Sequence, residues 1–430
     1  MHLFKTILRT VFTKGASSVI SFLIVILTAR FMGAEGRGEI SLIVLNITVI
    51  LLVNDLIGGA ALVFLVPRYK LYSLLIPAWI WGLLCGLVFP IGFYFFGGLT
   101  QKEYFSLSAL SIFLNLSSIN SVVLNGKEKI KESNIVSIVQ VLTLLGSLSL
   151  FIFYLNHRTP FAYYVALLTS YGISFGLGLF FLRKEIIVAP IRHSGRLIRQ
   201  MSRSGFYVQL GNAVQLLNYR LGFYLIDHYF PLAGKAMVGV YATGTSVCES
   251  VWVISNGISM VQYARISNMK DRKNAQDLTV SLSKISFLAT LSVMIVLVSL
   301  PSGLFRLIFG PDFTDLPSIV LTLSAGISAF GLTCIYSHYF SGIGKMHISS
   351  YSSVVGFAIT LVAGFLLVPR YGIQGAAITA SASYLASAVY LLIRFHLESG
   401  YSYSNLLLRY NNIFSSLKNS GYHVRNQRNH

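Results

Sequence analysis

Residues 71–96 read LYSLLIPAWIWGLLCGLVFPIGFYFF, without one Asp, Glu, Lys or Arg. A run of this length can cross the ~30 Å hydrocarbon core of a bilayer as a helix. Similar runs recur along the 430 residues, which are 54% hydrophobic and only 11% charged, against about 25% charged in a soluble domain. The ~10-residue alternation of a membrane β-barrel is missing. Backbone groups in lipid must pair within their own segment, so the runs are read as helices and the chain as an all-α membrane protein.

Working outward from 71–96, the apolar runs predict about twelve spans: 11–32, 39–64, 71–96, 105–124, 134–155, 161–182, 205–230, 237–262, 282–308, 316–341, 351–368 and 372–394. The first contains Lys14 and Arg30 and lacks a small-residue cleavage site, so it reads as a retained helix rather than a leader. Cys85, Cys248 and Cys334 lie far apart inside apolar runs and read as buried thiols, not a disulfide framework.

The net charge of +19 is distributed by side. Alternate loops carry Lys5 and Arg9, Arg68 and Lys70, Lys127 to Lys131, Arg183 to Arg203, Arg265 to Lys273, Lys345 and the tail cations. The opposite loops hold Arg37, Lys102, Arg158, Lys235 and Arg370. This asymmetry places both termini in the cytoplasm and makes the span count even. It also assigns the basic charge to topology and anionic membrane lipids, with no nucleic acid as partner.

The longest internal loop divides six spans from six. The expected organisation is an N-terminal six-helix bundle (1–182), a basic cytoplasmic linker (183–204), a C-terminal six-helix bundle (205–395) and a loosely ordered cytoplasmic tail (396–430). Gly126, Lys127, Ile130 and Val136 recur as Gly344, Lys345, Ile348 and Val354, and Gly38 parallels Gly239. Equal halves of equal orientation predict parallel repeats, two pseudo-symmetric bundles facing a central cavity.

An ionised group near the bilayer centre is costly and needs a reason. Arg220 and Glu249 fall at matching depth in spans seven and eight, and Lys14 and Asp55 both lie toward the cytoplasm in spans one and two. Two loosely paired sets are expected. Tyr241, Thr245, Glu249, Trp252, Asn256 and Ser259 recur at steps of three or four, one face of a helix. Gln209, Asn212, Gln215 and Tyr219 line up similarly beside Arg220. Amides, hydroxyls and rings suit sugars, and a cation suits a phosphate. The candidate substrate-binding residues are Lys14, Arg220, Gln215, Tyr219, Tyr241, Trp252 and Asn256. The candidate ion-coupling residues are Asp55 and Glu249, serving H+ or Na+. No P-loop occurs, His and Cys lack metal spacing, and no large extramembrane loop could house a catalytic site. A transporter without cofactor is expected, not an enzyme.

Six segments, Ala29 to Gly38, Leu217-Asn218-Tyr219-Arg220-Leu221, Val238 to Tyr241, Glu249 to Trp252, Ala264 to Ser267 and Gly372 to Ala377, stand in this order along the chain. Together they resemble the Wzx-type polysaccharide repeat-unit flippases of the multidrug/oligosaccharidyl-lipid/polysaccharide exporter superfamily. Gly222 stands where that family often has an acidic residue. The resemblance implies an exporter-superfamily fold in the bacterial inner membrane. Its implied substrate is undecaprenyl-pyrophosphate-linked oligosaccharide (an O-antigen or capsule repeat unit), moved to the periplasmic leaflet by alternating access. A polysaccharide polymerase and a chain-length regulator are the implied protein partners. The alternatives are a cation-coupled small-molecule exporter of the same superfamily and a membrane enzyme of polysaccharide assembly.

Overall fold

The computed structural model describes residues 2–97, 99–187, 194–269 and 271–402. Among the described residues all regular elements are helical. They are α1 (His2–Gly58), α2 (Ala60–Leu65), α3 (Leu71–Phe96), α4 (Gln101–Gly126), α5 (Ile130–Ser149, ending in a wider turn Leu150–Tyr154), α6 (Pro160–Leu182), α7 (Ser194–Tyr229), α8 (Gly234–Glu249), α9 (Trp252–Ile266), α10 (Arg272–Ser299), α11 (Ser302–Phe309), α12 (Leu316–Gly342) and α13 (Met346–Ser399).

Two of these helices are each a pair. α1 breaks at Gly33 (φ 71°, ψ −177°) and α13 at Gly372 (φ 54°, ψ −126°). Both conformations are strained for any residue with a Cβ, so glycine sets the break. Among the described residues, eight helices are long and apolar enough to cross a membrane, and nine when α8 and α9, bent by 43°, count as one span. The stretches broken at Gly33 and Gly372 run 53 and 54 residues, each more than twice the ~20 of one crossing. α7 has the length, at 36 residues, but is too polar to join that set. Counting each broken stretch twice and adding α7 gives a number compatible with the expected twelve.

Four boundaries differ from the sequence reading. Span eight is not one helix, because the chain bends between Glu249 and Trp252. Span nine stops at Ser299, since Pro301 cannot continue the ladder, and the rest of 282–308 joins the separate helix α11. The stretch 183–204 is not all linker. From Ser194 it is the start of α7, and Leu197 and Met201 are buried against Leu65, Val66, Leu71 and Leu182. The tail expected from 396 belongs to α13 as far as Ser399, and its part from 403 lies outside the described residues.

The chain divides into two compact units: Met1–Ala213 with Lys235–Gly239 and Ile308–Asp312, and Val214–Gly234 with Val240–Leu307 and Phe313–His430. In the first, Ile40, Ile43, Ile47 and Ile50 form one face of α1 and pack with Leu107 and Leu110 of α4 and Ala166 and Leu167 of α6. In the second, Tyr336, Tyr339 and Phe340 of α12 pack with Leu391 and Phe395 of α13.

The internal repeat is visible in the backbone, two residues away from the sequence match. After α4, the amides of Lys127, Glu128 and Lys129 donate to the carbonyls of Val123, Asn125 and Leu124. After α12, Ile343, Gly344 and Lys345 donate to Tyr339, Ser341 and Phe340 in the same pattern. Lys129 thus corresponds to Lys345, and each starts the next helix. Each also reaches a glutamate at or just beyond the end of the second helical stretch that follows it. Lys129 Nζ lies 2.9 Å from Glu185 Oε1, and Lys345 Nζ lies 2.5 Å from Glu398 Oε2. The other matched pair, Gly38 and Gly239, meets within the first unit. A Cβ on Gly38 would lie 1.7 Å from the Lys235 carbonyl oxygen, and one on Gly239 1.8 Å from that of Ala34.

Candidate functional site

The second unit brings Arg220 of α7 to Glu249, the last residue of α8. The guanidinium grips the carboxylate with both arms, Nη1 to Oε1 at 2.7 Å and Nη2 to Oε2 at 2.6 Å. Two parallel charge-assisted bonds are the strongest geometry open to these side chains. The pair is not sealed: the side chains remain 28% and 15% exposed. The helix bend follows Glu249 directly, which sets the carboxylate at a helix end.

Beside the pair lies a cluster of four rings. Trp252 stacks on Phe330 with centroids 4.0 Å apart. Tyr219 and Tyr384 meet both rings edge-on or tilted at 5.5–5.9 Å. Phe330 and Tyr384 come from α12 and α13 and went unread in the sequence, because a lone aromatic in an apolar helix carries no positional signal. The Trp252 Nε1 proton is buried without an acceptor. Gln215 donates to the Tyr219 hydroxyl at 3.0 Å and is exposed, as is Asn256, which accepts from the Cys334 thiol at 3.4 Å.

Other members of the expected stripe turn inward. Tyr241 is buried, and its hydroxyl donates to the Ala376 carbonyl at 3.2 Å. Thr245 and Ser259 donate to carbonyls of their own helices, Ala242 and Asn256. The bend after Glu249 removes the common face that an unbroken helix would have given them. Asn218, one residue before Tyr219, is fully engaged at its side-chain oxygen, which accepts from Thr360 at 2.6 Å and from Ser383.

In the first unit the expected pairing of Lys14 with Asp55 is absent. Among the described residues no ion pair joins them. Lys14 is exposed, and Asp55 Oδ1 accepts from Asn54 Nδ2 at 3.0 Å. Equal depth in a membrane does not fix rotational phase about the helix axis, and the two residues sit on helices whose phases the sequence does not set. Gln209 donates to the Asp55 carbonyl at 3.5 Å and accepts from Asn212 at 3.0 Å, so the upper part of the α7 stripe belongs to the first unit.

With this geometry in place, the comparisons with known proteins define a class. The fold is that of solved exporters and flippases. The chain is similar to a lipid II flippase in an inward closed conformation (TM-score 0.69, 17% identity, 90% of this chain and 87% of that one). It is similar also to an inward-facing multidrug resistance transporter (TM-score 0.68, 13% identity, 89% and 94%). By sequence it is similar to a putative O-antigen transporter of Shigella flexneri, 22% identical over 64% of this chain and 65% of that protein. It is likewise similar to a capsular polysaccharide biosynthesis protein of Staphylococcus aureus, 28% identical over 37% of this chain and 41% of that protein. A third relative is an uncharacterized membrane protein of Methanocaldococcus jannaschii, 25% identical over 43% and 37%. The matched stretch therefore spans less than two thirds of each of these relatives. No family model matches. The protein is a multi-pass membrane protein with the fold of superfamily transporters and with relatives named for polysaccharide assembly and O-antigen transport.

Proposed function

We propose that the protein is a flippase for an oligosaccharide carried on undecaprenyl pyrophosphate, working by alternating access in the bacterial inner membrane with both termini cytoplasmic. The observation that carries this reading is the Arg220–Glu249 pair set against the Tyr219, Trp252, Phe330 and Tyr384 rings. A pyrophosphate, like the Glu249 carboxylate, can accept both arms of the guanidinium and so competes for it. The rings offer stacking faces to sugars, and the unsatisfied Trp252 Nε1 proton offers a donor to a hydroxyl or phosphate oxygen.

The exchange also supplies a coupling step. When the phosphate takes Arg220, the released Glu249 carboxylate is a lone charge in a low dielectric and must gain a proton or a metal cation. Departure of the headgroup restores the pair and expels the ion. Substrate and ion would thus alternate on opposite members of one ion pair. Asp55 is the second carboxylate assigned to ion coupling. The relatives named for capsule and O-antigen assembly support the substrate class.

The test is translocation of a polyprenyl-pyrophosphate-linked oligosaccharide between leaflets of proteoliposomes. Arg220→Ala should abolish it, and Glu249→Gln should leave residual flipping that no longer responds to an imposed Na+ or H+ gradient. Full, gradient-dependent activity in both variants would remove the site assignment.

A further inference from the structure

Unlike Glu249, Asp55 lies beside an amide whose oxygen has nothing to bind, that of Asn54, and Asn115 presents a second such oxygen from the other side of Gly82. Asn54 and Asn115 are both 0% exposed, and the side-chain oxygen of each has no hydrogen-bond partner. Their orientation is fixed by their other ends. Asn54 Nδ2 donates to Asp55 Oδ1, and Asn115 Nδ2 donates to the Gly82 carbonyl at 3.0 Å. Both side chains flank Gly82 of α3, where an added Cβ would lie 3.1 Å from Asn54 Oδ1 and 3.4 Å from Asn115 Cβ. Ser111, one helical turn before Asn115 on the same face of α4, is also 0% exposed with an unpartnered hydroxyl.

The backbone is interrupted at the same place. α1 ends at Gly58 and α2 begins at Ala60, with Gly59 between them outside helical geometry (φ −95°, ψ −138°). A Cβ on Gly59 would stand 2.9 Å from Asp55 Cβ, so the carboxylate side chain lies along the break. A discontinuous membrane helix with carbonyl oxygens and a carboxylate at the break is the arrangement in which transporters hold coupling cations.

We propose that the first unit holds a sodium-sized monovalent cation at the Gly59 break, with the side-chain oxygens of Asn54, Asn115 and Asp55 as ligands beside Gly82. Two buried amide oxygens and a carboxylate form an all-acceptor set. Hard oxygens of this kind satisfy a metal cation, whereas a proton on Asp55 would leave both amides unpaired. Gln209, on the helix that later carries Arg220, touches the Asp55 carbonyl, so the break has a direct contact to α7. The proposal rests on the ion-coupled reading above and gives Asp55, its second carboxylate, a cation separate from the ion exchanged at Glu249.

The experiment is direct binding of radioactive sodium by the purified full chain in lipid nanodiscs, with potassium and choline as competitors and no glycan present. Saturable, sodium-selective binding is expected. Asn115→Leu and Asp55→Asn should weaken it roughly tenfold or more, the scale of losing a group from a metal's surroundings. Asn115→Asp, which keeps an oxygen, should retain it. Gly82→Ala should weaken it with every ligand still in place. Melting of each variant in sodium-free buffer establishes that it is folded. Absence of sodium-selective binding in the unaltered protein would overturn the proposal, as would binding untouched by Asn115→Leu and Gly82→Ala, the result if water binds these oxygens. Either outcome leaves the glycan assay unaffected. A protein that binds sodium but moves no lipid-linked glycan would sink the flippase reading alone.

Discussion

Two intramembrane polar clusters, one in each unit, are built in opposite ways. In the second unit Arg220 is held twice by Glu249, and the Asn218 oxygen accepts two hydroxyls. In the first unit Asn54 and Asn115 keep open oxygens on either side of Gly82, Asn54 beside the Asp55 carboxylate. A saturated pair yields only to a ligand able to replace a partner, which a pyrophosphate can do. An open set takes a small ion without breaking anything. On the proposed reading, the contrast gives the bulky anion to Arg220 in the second unit and adds, to the ion exchanged at Glu249, a separate cation in the first.

The largest effect that could break this contrast is at the ion pair. Arg220→Met or Glu249→Met alone strands a charge, and because the pair is 28% and 15% exposed the loss falls below the about 3–5 kcal/mol of a fully buried pair. The double variant Arg220→Met/Glu249→Met should recover most of that stability. Thermal melting of the three variants checks it, and a double variant no better than the singles would show that the pair does not act as a closed unit.

Next in size is the asparagine comparison. Asn218→Leu strands Thr360 and Ser383 and should cost about 1–3 kcal/mol. Asn115→Leu loses one bond but also removes an orphaned oxygen, so in sodium-free buffer its cost should be under about 1 kcal/mol. Equal losses would erase the distinction between the units. Trp252→Phe sharpens the account of the second unit. It keeps the ring against Phe330 and deletes the idle Nε1 proton, so melting should hold while glycan translocation slows.

The smallest effect belongs to the paired turns. Lys129 and Lys127 hold the Glu185 carboxyl below the ordinary glutamate value of about 4.3. A carboxylate with a depressed folded value stabilises above that ordinary value and loses its contribution as pH falls through the depressed one. Melting of the unaltered protein should therefore decline, as pH falls below the ordinary glutamate value, slightly more than that of Glu185→Gln, by the few tenths of a kcal/mol of an exposed pair. Identical profiles would show that the Lys129 turn contributes nothing.

Much of the fold was legible because length and apolarity alone specify a membrane span. Runs such as 71–96 and 316–341 admit one reading. The bend after Glu249 was not legible. No proline or glycine marks it, and the stripe from Tyr241 to Ser259 keeps helical spacing straight through it. The repeat was found but misregistered, since Gly126-Lys127 and Gly344-Lys345 share letters while the backbone equates Lys129 with Lys345. Arg220 and Glu249 were paired from depth because they sit on consecutive antiparallel helices and have long side chains. The same reasoning failed for Lys14 and Asp55. Asn54 and Asn115 escaped notice because an uncharged amide in an apolar run reads as helix packing, and only the absence of a partner distinguishes it.

The most direct test is leaflet translocation of a polyprenyl-pyrophosphate-linked oligosaccharide by the Arg220→Met/Glu249→Met double variant in proteoliposomes. The account predicts a folded protein that moves no glycan, because the guanidinium that receives the phosphate is gone. Translocation at the unaltered rate would contradict it and reduce the ion pair to a structural contact.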